Sequence, residues 1–153
     1  RPEIEIIQGK LALAAGQQDD AERAYRSAGD QLKKEKASPR RLAQANYGLA
    51  ALSYFKRDDP TAQNLFALVM SEDPTIYAAY LFAAEIAKSR DPRNALDLAQ
   101  QATAYNPESI DGWKLVGTLA AQLGNAKLLT TAITRVGAMA PGSETLELLQ
   151  GLR

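Results

Sequence analysis

The chain has 153 residues, with 18 basic and 18 acidic side chains and neither cysteine nor histidine. This balance excludes a global charge field that would attract nucleic acid or an anionic membrane. The two missing residue types exclude disulfides, thiolate chemistry and the common zinc sites, and they remove the usual general base near neutral pH. No apolar run is long enough to span a bilayer, so we expect no direct membrane insertion.

The first 37 residues predict two helices that meet at Gly16. Apolar residues at helical spacing should form the buried face of the first helix: Ile4, Ile7, Leu11 and Ala14. Asp19 or Asp20 is expected to be the N-cap of the second helix and to supply an acid to its first turn. The inner face of that helix is marked by Ala21, Ala24, Tyr25 and Ala28. The pattern predicts that it runs towards Lys36, before Ser38-Pro39 stops it.

Prolines divide the rest of the chain at a nearly constant period. Pro74, Pro107 and Pro141 are 33 and 34 residues apart, and each follows one Ala-rich helical pattern and precedes another. A second break falls inside each period, at residues 56–60, 89–92 and 123–125. Each period therefore predicts a helix, a tight turn and a second helix, and no alternating β-branched run predicts a strand. Ser143, with acidic residues after it, marks the start of one more helix.

The fourth period carries a recognisable motif. Trp113, Val116 and Gly117 are followed by the turn Gly124-Asn125 and by Pro141. In this pattern the chain resembles the tetratricopeptide repeat family, whose helix-turn-helix unit has 34 residues. Other positions fit the small, aromatic and close-contact slots of that unit: Ala21, Ala62 and Ala95; Tyr25 and Phe66; Gly9, Gly117 and Gly151. Departures make the resemblance one of fold and not of any single member, at Ala50, Ala84, Ala99 and Leu129.

The resemblance covers essentially the whole chain and implies an all-α, right-handed solenoid of stacked antiparallel helix pairs. We expect a single domain over residues 1–153. It should contain about four repeats and a C-terminal capping helix, at residues 2–37, 43–76, 77–109, 110–142 and 143–153. The opening RPEIEIIQGK has neither Met nor a signal peptide, so we expect a longer parent chain. Trp113 either stacks on a ligand or packs between helices, and the repeat pattern favours packing.

Paired carboxylates are the strongest candidates for catalytic chemistry, at Asp19-Asp20 and Asp58-Asp59. A glycosidase would need two acids that face each other across a cleft. Both pairs instead lie at predicted helix starts, where acids satisfy free N–H groups. The sequence has no phosphate loop, dinucleotide fingerprint, GxSxG motif or calcium loop. We therefore expect no enzyme activity, no catalytic residue, no cofactor and no metal.

Five positive charges lie within the nine residues 33–41. The first three would lie at a helix C-terminus, where cations are favourable. That interpretation competes with a docking patch for an acidic partner, a phospholipid or nucleic acid. Few aromatic residues accompany the run, which argues against binding to a single-stranded nucleic acid, and we expect no nucleic-acid partner.

The resemblance also implies a concave groove, lined by the first helix of each repeat, that holds a peptide or a helix of another protein. The partner-binding residues expected from this register are Ile6, Lys10, Leu13, Tyr47, Ala51, Tyr54, Leu81, Glu85, Lys88, Lys114 and Thr118. Tyr47 and Tyr54 are the expected anchors, unless they pack against the neighbouring repeat. Gly48 and Ala78 stand where a clamp for charged chaperone tails needs polar side chains, so an apolar or amphipathic ligand is favoured.

These features favour a non-catalytic scaffold that binds a partner protein through an extended peptide or an amphipathic helix. Two alternatives stay open. One is a self-associating structural module, which would make the protein a homo-oligomer. The other is an accessory regulatory domain of a larger enzyme or secretion protein. The Ala-rich, cysteine-free composition favours a bacterial source, in the cytoplasm or the periplasm.

Overall fold

The computed structural model describes residues 1–153, which form nine α-helices and no strand. The helices are α1 (Pro2–Ala14), α2 (Gln18–Lys34), α3 (Pro39–Phe55), α4 (Asp59–Glu72), α5 (Tyr77–Ala87), α6 (Pro92–Tyr105), α7 (Ile110–Gln122), α8 (Ala126–Met139) and α9 (Glu144–Gln150). Short turns join α1 to α2, α3 to α4, α5 to α6 and α7 to α8. The all-α, helical-repeat prediction is therefore confirmed.

Left-handed backbone closes the turns inside the helix pairs. Gly16 ends the first pair's leading helix at φ +75°, and Gly124 does the same in the fourth pair at φ +76°. Glycine adopts this conformation without the steric penalty that a Cβ brings. Arg57 holds the corresponding turn between α3 and α4 at φ 63°, so that turn has the same backbone geometry without glycine.

Side-chain caps begin most of the helices. The predicted cap of the Asp58-Asp59 pair is confirmed, since the Asp58 carboxylate accepts a hydrogen bond from the Thr61 N–H. The equivalent prediction for α2 is wrong in part. Its N-cap is Gln17, which makes no side-chain cap bond, while the two acids of the Asp19-Asp20 pair lie in the first turn. There they complement the helix dipole without closing the helix end.

The chain divides into two compact units, unit 1 (Arg1–Ala79) and unit 2 (Tyr80–Arg153), and the division falls within α5. In unit 1 the Tyr25 ring lies against two glycines. A Cβ at Gly48 would stand 2.2 Å from this ring, and one at Gly9 would stand 2.8 Å from it. Tyr25 is 2% exposed, and the expected inner face of α2 is buried at Ala21 and Ala28 as well. The missing side chains of the two glycines therefore create the space that the tyrosine fills.

The buried face of α1 differs from the predicted one. Ile4, Ile7 and Leu11 are 50%, 57% and 66% exposed, and Ala14 is exposed too. The helix instead buries Pro2, Ile6, Gly9 and Ala12. α1 itself carries apolar residues on more than one of its faces, so helical spacing alone could not identify the buried face. The prediction is wrong because Gly9 and Ala12 are small and let α1 approach its neighbours closely. The bulkier side chains of Ile4, Ile7 and Leu11 would hold the helices further apart.

In unit 2 the core forms around Trp113, as the repeat pattern predicted. The indole is 9% exposed, and its Nε1–H donates a hydrogen bond of 2.8 Å to the Pro107 carbonyl. The Arg135 guanidinium carbon lies 5.5 Å from the ring centroid, within the range of a cation–π contact. Gly117 is a point of close helix contact, since a Cβ there would lie 2.5 Å from a methyl carbon of Leu149.

Candidate functional site

In unit 1, α1 supplies three of the expected partner-binding residues. Lys10 is exposed, and Leu13 is partly buried against the core. Ile6 is only 7% exposed and belongs to the core. Lys10 and part of Leu13 are therefore accessible to a partner without any rearrangement. Ile6 is not accessible, because it packs in the core.

The tyrosines of α3 lie two helical turns apart and are both partly buried. The Tyr47 ring stands edge-on to Phe66, with centroids 6.2 Å apart and the planes at 61°. Burial raises the pKa of the Tyr47 phenol, and the nearby Tyr77 and Tyr25 raise it further. Ala51, between the two tyrosines, is 4% exposed. Tyr47 therefore packs against its own unit and keeps part of its surface exposed.

Tyr54 extends this aromatic surface towards the end of α3. Its ring packs edge-on against Phe55, with centroids 5.6 Å apart and the planes at 76°. Phe55 is 52% exposed, although sequence reasoning did not select it. Its position as the last residue of the helix, beside a predicted turn, was the available signal. We define the α3 aromatic surface as Tyr47, Tyr54 and Phe55.

A pocket of about 490 Å³ opens among α2, α3 and α4 of unit 1. Its apolar part includes Leu49, Leu52 and Leu65. At its edge the Glu22 carboxylate pairs with Lys56 and with Arg26, each at 2.9 Å. Hydrogen bonds from these two cations lower the pKa of Glu22, and the bond from Lys56 has the larger effect. The Glu22 carboxylate is thus paired with two cations, and the other acid of the lining, Asp58, caps α4 at the Thr61 N–H. Sequence reasoning did not identify this pocket.

In unit 2 the expected partner-binding residues are mostly polar. Glu85 of α5 and Lys88, in the turn after that helix, form an ion pair of 2.6 Å, and Lys114 is exposed on α7. The Thr118 hydroxyl donates to the Leu115 carbonyl, so its donor capacity is already used inside the helix.

The remaining expected residue of α5, Leu81, is partly buried against the core of unit 2. The exposed part of this set is therefore charged, in contrast to the aromatic surface of α3. The full set of expected partner-binding residues stays a prediction.

The basic run at residues 33–41 is partly neutralised within unit 1. Lys33 and Lys34 lie in the last turn of α2, as predicted, and the helix ends there and not at Lys36. Arg41 pairs with two acids, Glu3 and Glu35. Arg40 lies 3.6 Å from the buried carboxylate of Asp73. These pairs fit a structural role for the arginines, and the docking-patch alternative stays untested.

No group of three or more Asp, Glu, His or Cys side chains is arranged to hold a metal ion. None of the helices combines the length and the apolar character needed to cross a membrane.

Comparison with solved structures identifies the architecture. A tetratricopeptide repeat protein from Parabacteroides merdae aligns over 99% of the chain with a TM-score of 0.78 and 17% sequence identity. The chain has the tetratricopeptide repeat fold. PilF of Pseudomonas aeruginosa aligns over 100% of the chain with a TM-score of 0.81 and 14% identity. YrrB, described as a tetratricopeptide repeat protein with an unusual peptide-binding site, aligns over 96% with a TM-score of 0.73 and 18% identity.

These tetratricopeptide repeat structures are similar in fold and distant in sequence. The chain spans 58% of the length of the Parabacteroides protein, 67% of PilF and 75% of YrrB. No protein-family profile and no curated protein sequence matches the chain. The likeness therefore establishes the fold, and function has to be argued from the surface of this chain.

Proposed function

We propose that this tetratricopeptide repeat chain is a non-catalytic protein-interaction module that binds an extended peptide or an amphipathic helix. The observation that carries the proposal is the α3 aromatic surface, with Lys10 and Leu13 on α1 nearby in the same unit. α1 and α3 contact each other, so their partly exposed residues belong to one neighbourhood. YrrB, which shares the fold, is described as having a peptide-binding site.

The spacing of the tyrosines supports a ligand of regular secondary structure. Tyr54 lies seven positions after Tyr47, a rise of about 10 Å along α3. Two apolar side chains at i and i+7 of a ligand helix are the same distance apart and lie on one face of that helix. Tyrosine buries a large area at a low entropic cost. A ring that is already partly buried in the free protein loses less side-chain entropy when a partner binds.

The surface chemistry favours one kind of ligand. Tyr54 and Phe55 offer apolar ring area, while Lys10 adds one cation. A peptide that combines apolar anchors with an acidic residue would satisfy both.

The test combines peptide selection with matched tyrosine variants. The 153-residue chain would be used to select peptides from a random library, and a selected peptide would be measured by calorimetry. Tyr54→Ala should weaken binding about fivefold or more, because a truncated aromatic anchor costs about 1 kcal/mol or more. Tyr105→Ala is the matched control, since Tyr105 is a 48% exposed tyrosine of unit 2 outside the predicted surface.

Thermal unfolding separates the binding role from a packing role. The proposal expects Tyr54→Ala to lower Tm by only a few degrees while affinity falls. A large loss of Tm with unchanged affinity would assign Tyr54 to packing and would refute the surface. Selection of no peptide at all by the folded chain would refute the proposed function itself.

A further inference from the structure

We draw no further inference here: the strongest candidate, the exposed apolar face of α1 formed by Ile4, Ile7 and Leu11, carries none, because nothing in the structure shows what covers it.

Discussion

Replacing Gly48 by alanine should destabilise unit 1, although alanine is normally the better helix former. The added Cβ would lie 2.2 Å from the Tyr25 ring, well inside the 3.4 Å of an ordinary contact. The ring cannot retreat easily, because it is 2% exposed and lies close to Gly9 as well. Either α3 or the ring must therefore move by about 1 Å.

Two opposing terms determine the size of the effect. Overpacking a core costs about 1–3 kcal/mol, while replacing a helical glycine by alanine returns about 0.5–1 kcal/mol. We expect a net loss of about 1–2 kcal/mol, which lowers Tm by roughly 4–16 °C for a unit of this size. Gly29→Ala is the matched control. Its Cβ would meet only the Ala45 Cβ at 3.9 Å, so it should raise Tm by about 2–8 °C.

The assay is thermal and urea unfolding of the whole chain followed by circular dichroism. Fluorescence of Trp113, the only tryptophan, reports on unit 2. Tyr25→Leu removes the ring that the new Cβ meets. In the double variant Gly48→Ala should therefore cost much less than it does alone. A rise in Tm for Gly48→Ala comparable with that of Gly29→Ala would refute the packing argument.

Three further predictions concern single groups. The Thr75 hydroxyl and N–H hold the pKa of Asp73 below its ordinary value, so this carboxylate stabilises unit 1 above about pH 4, and the stabilisation is lost as pH falls through the folded pKa. Asp73→Asn should flatten the acid limb of a stability–pH profile, and an unchanged limb would contradict this. Trp113→Phe loses the hydrogen bond to Pro107 and part of the ring volume, so urea unfolding of unit 2 should show a loss of about 1–3 kcal/mol. Gly124→Ala, at φ +76° with no atom within 4 Å, should cost about 1 kcal/mol through backbone strain alone, and a neutral result in thermal unfolding would argue against that strain.

The helix pairs could be predicted because their signals are local. Prolines at a period of 33 and 34 residues, turn residues such as Gly124 and caps such as Asp58 act within a few residues of the backbone that they shape. The core position of Trp113 was predictable for the same reason, since its place in the repeat motif specifies its neighbours. The N-cap of α2 was missed because two adjacent acids offered the same signal, and the structure places both inside the first turn.

The candidate surface was less predictable, because accessibility depends on neighbours that lie far away in the sequence. Ile6 and Ala51 fit the register of the expected surface, yet the packing of unit 1 buries both. Phe55 lies outside that register and is exposed because α3 ends at this residue. The pocket beside Glu22 requires three helices to converge, which no single segment of sequence encodes.

The sequence by itself determined the helices, their turns and the repeating arrangement, because periodicity, capping and backbone preference are properties of short segments. Only the tertiary structure decided which face of α1 is buried. Both of its apolar stripes satisfy helical spacing, and the choice depends on Tyr25, which needs the space that Gly9 and Gly48 leave empty. A ring that fits against two glycines buries one stripe of α1, and Ile4, Ile7 and Leu11 are left exposed as a consequence.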